Sequence, residues 1–182
     1  MTDQLFAILE PIALRVFADL TREFAHEDFY SVALLTTGDY RYVADCTSTT
    51  QGLKRVAQRY LRKPDYRRRW RTLSTAMRQL KWNPGDSPYY ALKHRRFRRA
   101  DSEILRIWRS RATYDANATA IHGTLMRVMQ SVRDARLFPT GVVFNVVMGD
   151  QSDRECLSNA RLLNSRATLA RFRAELRESG TL

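Results

Sequence analysis

The sequence predicts a single α+β domain, and three observations predict it. Apolar residues recur at helical spacing in several long stretches, two β-rich runs are joined by the short turn Thr37-Gly38-Asp39, and a late apolar run reads GVVFNVVM. At 182 residues the chain is long enough to close one core without staples. With 44% hydrophobic and 10% aromatic residues it is too apolar for a disordered basic tail. No stretch approaches the roughly 18 consecutive apolar residues of a membrane span. Two cysteines exclude a disulfide scaffold and a cysteine-rich zinc site, and Cys46 and Cys156 are expected as two buried thiols. The opening Met1-Thr2-Asp3-Gln4-Leu5 carries no basic region followed by an apolar core, so no secretory signal is expected and the cytoplasm is.

Residues 3–25 carry Leu5, Leu9, Ile12, Val16, Leu20 and Phe24 at three- and four-residue steps, which predicts an amphipathic helix capped by Thr2. Pro11 removes a backbone donor inside it and predicts a kink or break. Residues 28–36 and 40–47 read as a β-hairpin, with Gly38 in the turn that needs a positive φ. Tyr40, Tyr42, Ala44 and Cys46 alternate along one face of its second strand. A helix opens at Ser48-Thr49-Thr50, carries Leu53, Val56, Ala57, Tyr60 and Leu61 inward, and stops before Pro64. Helix continues over 65–70, whereas 77–82 suits either a helix end or a strand. Three Pro or Gly in 83–88 make a loop. Helices are predicted over 91–112 and 116–136, the second ended by Pro139. The four valines of 141–148 predict a fully buried strand. Ser152 and Glu155 match a capping box, and a last helix follows Ser165. The sheet is therefore expected to be small and mainly antiparallel, built on the hairpin and the late strand, with several helices packed over it.

The formal net charge is +12, and its basic residues comprise 27 Arg and only 4 Lys. Between residues 54 and 111 there are 19 Lys or Arg against 4 acids, a balance of +15. The remainder holds 12 basic and 15 acidic residues, a balance of −3. The excess concentrates in Arg67-Arg68-Arg69-Trp70-Arg71 and in 93–99, which includes Arg95, Arg96 and Arg99. Such clustering predicts a strong local surface potential. It suits an acidic protein partner, a nucleic acid held by arginines with aromatic residues beside them, or a solvated face that keeps the chain soluble. No helix-turn-helix, zinc-finger, RRM or KH signature accompanies it.

Motifs for catalysis are missing from the sequence. His26, His94 and His122 stand far apart, with no HxH or HExxH and no CxxC, so no metal and no cofactor are expected. There is no GxSxG elbow and no glycine-rich phosphate loop. Asp39, Asp45, Asp86 and Asp150 fall near predicted strand ends or loops, and an enzyme reading rests only on Asp86 or Asp150. The expectation is therefore a non-catalytic protein. The most distinctive segment is KWNPGDSPYY over 81–90. Its Trp82, Tyr89 and Tyr90 offer large amphipathic area for a binding hot spot, or else plug the edge of the core while the prolines fix a turn.

Taken together, DFYSVALLTTGDYRYVADCTSTTQGL, KWNPGDSPYY, the late Gly149-Asp150, Ser158 and the Leu163-Asn164 pair resemble the bacterial domain-of-unknown-function family 4303. Phe29, Tyr30, Ala33, Leu34, Gly52, Leu53, Trp82, Pro84, Asp86 and Tyr89 match the family pattern. Ser87 or Pro88 stands where the family has a second tryptophan. The resemblance implies a small domain with no established catalysis, similar in kind to the immunity proteins of polymorphic-toxin systems. On that implication the partner is an acidic protein, a cognate toxin domain. The contact residues would be Arg67, Arg68, Arg69, Trp82, Asp86, Tyr89, Tyr90, Arg95, Arg96 and Arg99. A nucleic-acid-associated protein using the same 62–111 region is the alternative.

Overall fold

A four-stranded sheet in the order β3-β2-β1-β4 organises the computed structural model, which describes residues 2–110, 112–149 and 151–179. The order along the chain is α1 (Thr2–Glu23), β1 (Phe29–Thr36), β2 (Val43–Thr49), α2 (Thr50–Leu61), α3 (Pro64–Trp70), α4 (Leu73–Leu80), β3 (Tyr89–Tyr90), α5 (Arg98–Trp108), α6 (Tyr114–Asp134), β4 (Val143–Met148), α7 (Asp153–Leu163) and α8 (Arg166–Glu178). β1 pairs antiparallel with β2 and β2 with the two-residue β3, whereas β4 runs parallel to β1. The sheet is thus mixed. The connection through α2–α6 is long enough to return β4 in the direction of β1, as a parallel pair requires. None of the helices is long and apolar enough to cross a membrane among the described residues.

The two sheet faces bury different things. Val32, Leu34, Phe144 and Val146 face α1, α5 and α6 in the main core, where Phe138 meets Phe17, Phe29 and Phe144 edge-on. On the other face Ala33, Leu35, Cys46 and Val147 form a small cluster. Tyr30 packs with α2, α3 and α4, and Val143 packs with α7 and α8. A bulge between Phe29 and Ser31 shifts the alternation, so that Phe29 joins the face of Val32 and Leu34 while Tyr30 turns to the face of Ala33 and Leu35.

Several local expectations change. α1 is continuous through Pro11. Pro11 and Ala7, whose carbonyl the proline leaves unpaired, are exposed, so water can reach that carbonyl. The opposite stripe of Leu5, Leu9, Ala13, Val16, Phe17 and Leu20 is fully buried, at about 1.5–3 kcal/mol for each large side chain. That outweighs the roughly 3 kcal/mol of an internal proline. Thr2 is the first residue of the helix and not its cap. The hairpin loop spans 37–42, and its positive φ falls on Tyr40 (52°), not on Gly38. Tertiary contacts hold Tyr40 there: its carbonyl accepts from Trp108 Nε1 (3.2 Å) and its hydroxyl meets His122 Nδ1 (3.1 Å). Tyr40 and Tyr42 consequently lie outside β2. The basic stretch after β3 is a turn and a short 3₁₀ segment (His94–Phe97) before α5, which replaces the single helix expected over 91–112.

Other elements form where expected. Thr49 caps α2, Pro64 sits in the first turn of α3, the 77–82 ambiguity resolves to the end of α4, and the Ser152–Glu155 capping box opens α7. β4 is an edge strand, and yet it is buried. Its outward backbone groups are met by side-chain amides. Asn164 accepts from Phe144 N–H (2.9 Å) and donates to the Phe144 carbonyl (2.7 Å). Asn159 donates to the Val146 carbonyl, Asn145 accepts from Val146 N–H, and Gln151 accepts from Met148 N–H. The edge is thereby closed to strand addition.

Candidate binding site

The two arginine clusters stand on elements anchored in different cores. α3 is held by Trp70, which inserts into the cluster of α2 and α4. Arg67, Arg68 and Arg69 are exposed, as are Lys54 and Arg59 of α2 and Arg62 and Lys63 between α2 and α3. None of these forms an ion pair among the described residues. Between α2 and α3 three rings pack together: Tyr60–Tyr66 at 4.7 Å, Tyr60–Trp70 at 5.6 Å and Tyr66–Trp70 at 5.0 Å between centroids. Lys63 Nζ sits over Tyr60 at 5.3 Å and over Tyr66 at 5.8 Å, so cation–π contacts join this one cation to the rings.

The second cluster is held by Phe97 and Ala100, buried in the main core. Arg95 and Arg99 are exposed without an ion pair among the described residues. Arg96 is engaged by Asp19, which Arg22 also contacts. The hydrogen bond from Arg96 is the main cause that holds the Asp19 carboxyl below its usual value. The +15 segment therefore divides into an uncompensated surface on α2–α3 and a partly neutralised one beside α1.

The 82–90 loop folds inward at most of its length. Gly52 explains how closely it approaches α2: a Cβ there would stand 2.6 Å from two side-chain carbons of Pro88. Asp86 accepts from Tyr60 Oη and from Asn83 Nδ2, each at 2.6 Å, which pins the loop to the C-terminal end of α2. Trp82 packs edge-on against Tyr30 (5.3 Å) and Phe172 (4.5 Å). Tyr89 is buried, stacked on Phe24 at 3.9 Å. Only Tyr90, 44% exposed, turns its ring outward, beside exposed Leu92.

Tyr89 also completes a polar cluster that no sequence motif announces. Its hydroxyl donates to Glu27 (2.6 Å) and accepts from Arg55 (2.6 Å), while Arg55 pairs with Glu27 at 2.7 Å and Thr49 donates to the same carboxylate. Burial opposes the Glu27 charge, but the hydrogen bonds from Thr49, Tyr89 and Arg55 together outweigh it and hold the carboxyl below its usual value. The cluster ties the start of the hairpin to α2 and to the loop. Of the two carboxylates on which an enzyme reading rested, Asp86 is engaged as described and Asp150 lies outside the described residues. Among the described residues no group of three His, Cys, Asp or Glu is placed to hold a metal ion.

A family model described as a domain of unknown function (DUF4303) matches residues 9–165. No curated protein and no solved structure matches.

Proposed function

Since this chain belongs to the DUF4303 family, whose function is unknown, its own surface has to carry the reading, and we propose that it is a non-catalytic binding protein. More closely, it is an immunity protein of the cytoplasm that engages a cognate toxin domain through an acidic surface on that toxin. The observation that supports this is the uncompensated arginine surface of α2–α3. Arg67, Arg68 and Arg69 are successive residues of one short helix, all exposed and without ion pairs among the described residues, and the same helix carries Tyr66 and Trp70, which pack with Tyr60. Like charges held together cost free energy until a complementary surface arrives, and guanidinium forks suit carboxylates on such a surface. Arginine and aromatic anchors also dominate the energy of many interfaces. Association would be fast and weakened by salt.

The test is isothermal titration of the protein with the toxin domain encoded beside it. Nanomolar binding that weakens with salt is expected, and Arg67→Glu/Arg68→Glu/Arg69→Glu should reduce it by about tenfold or more. Binding left unchanged by that triple variant would remove the surface from the account. If instead the protein takes up arbitrary duplex or single-stranded DNA with a steep salt slope, it is a nucleic-acid-associated protein using the same arginines.

A further inference from the structure

The large apolar side chains that stay exposed gather around one stretch of backbone. Among the described residues they are Tyr90, Leu92, Leu105, Tyr114 and Leu162, and all but Leu162 flank residues 40–45. Tyr90 reaches Tyr42, with 3.4 Å between the two hydroxyls. Ala91, the next residue, has a positive φ of 52°, a costly conformation for a residue with a Cβ. Asp45 holds it there, since its carbonyl accepts from Ala91 N–H (2.8 Å) and its carboxylate from Lys93 N–H (2.9 Å). Tyr90 and Leu92 are exposed on either side of this fixed turn. On α5, Arg98, Asp101, Leu105 and Trp108 share one face at three- and four-residue steps. Asp101 fastens that face to Val43 N–H (2.9 Å), and Trp108 Nε1 fastens it to the Tyr40 carbonyl (3.2 Å). Tyr114, 57% exposed, packs on Trp108 with 4.9 Å between ring centroids.

Single exposed apolar residues are ordinary, whereas several gathered on a rigid frame mark a protein contact. The charge beside them selects the partner. Arg95 follows His94, whose ring meets Tyr42 edge-on, Arg98 shares the α5 face, and Arg109 follows Trp108. All three are exposed without an ion pair among the described residues, against the exposed carboxylate of Asp115. Asp39 and Asp101 are already engaged, by Arg41 and by His94 with Val43 N–H. We propose that this aromatic patch is the anchor of the partner interface, seating apolar side chains of an acidic protein surface. The proposal rests on the toxin reading above and gives the same partner a second contact surface, one that sets the lifetime of the complex.

Surface plasmon resonance of the full chain with the toxin domain encoded beside it tests this. Tyr90→Ala/Leu92→Ala and, separately, Tyr114→Ala should raise the dissociation rate by about tenfold or more with association little changed, as loss of buried anchors does. Arg95→Glu/Arg98→Glu should instead slow association at low salt by about tenfold. Leu162→Ala removes the exposed leucine of α7 and should bind as the parent does. Each altered side chain is exposed, and circular dichroism verifies the fold of every variant. Dissociation equal to the parent's in both aromatic variants, or raised as much in Leu162→Ala, would overturn the proposal. So would association unchanged by the arginine reversal. Those results leave the toxin reading standing, whereas a parent chain that does not bind the domain at all would overturn that reading and this surface with it.

Discussion

Glu27 and Asp45 are both buried carboxylates, and their surroundings push them in opposite directions. Glu27 is held below its usual value by three side-chain hydrogen bonds that prevail over burial. Its contribution to stability is therefore present above the unfolded-state pKa and is lost as pH falls through the lower folded-state value. Asp45 has one oxygen that accepts from Lys93 N–H at 2.9 Å and another with no partner among the described residues, and burial raises its pKa. Its folded form holds a proton to higher pH than the unfolded chain does. Asp45 therefore opposes folding at neutral pH, and that penalty disappears as pH falls through its folded-state pKa. In urea melts at pH 7, Glu27→Gln should lower stability by about 2 kcal/mol, because it breaks a charge-assisted network. Asp45→Asn keeps the acceptor for Lys93 and removes the buried charge. Its midpoint at pH 7 should equal or exceed the parent's, and a fall of the size seen for Glu27→Gln would contradict this electrostatic assignment.

Among the elements, β4 shows how the backbone edge of an apolar strand is satisfied within the fold. A run such as VFNVVM has the composition of a strand that seeks further pairing. The amides of Asn145, Gln151, Asn159 and Asn164 occupy the backbone positions a neighbouring strand would use. Asn164 does most, since it contacts both backbone groups of Phe144. Asn164→Ala should lower unfolding free energy by about 2 kcal/mol and accelerate hydrogen exchange at the Phe144 amide. Protection at Phe144 equal to the parent's would show that the edge is satisfied in another way. At the other end of the sheet, β3 is only two residues long, which also limits edge pairing.

For the whole molecule, the division of charge between two cores matters more than its total. The α3 arginines make no ion pair among the described residues, so reversing all three should change stability only slightly, by no more than roughly 0.5 kcal/mol for each surface change. Arg96→Glu sets a carboxylate against Asp19 and should lower the midpoint. Calorimetry of the two variants checks this: an Arg67→Glu/Arg68→Glu/Arg69→Glu protein that melts well below Arg96→Glu would mean that α3 relies on its arginines for packing.

Much of this is legible in the sequence. The α+β class, the hairpin, the buried late strand, the capping box and the family pattern follow from periodicity, turn chemistry and short motifs, which act over a few neighbouring residues. So does the lopsided charge, because it is a property of the chain. Local rules failed where a distant partner sets the conformation. Tyr40 takes the positive φ because Trp108 and His122 hold it, and Pro11 stays helical because the stripe opposite it is buried. The candidate site divides along the same line. Arg67, Arg68 and Arg69 could be read as exposed, since a run of guanidinium groups resists burial. The inward turn of Tyr89 and the outward turn of Tyr90 could not, because Glu27, 62 residues from Tyr89, is what draws it in. Packing across the sheet likewise parted two arginine runs that look like one segment in the sequence and brought Tyr90, Trp108 and Tyr114 around residues 40–45. Contacts between residues far apart in sequence leave no periodic trace along it, and their positions emerge only when the helices and strands close on one another.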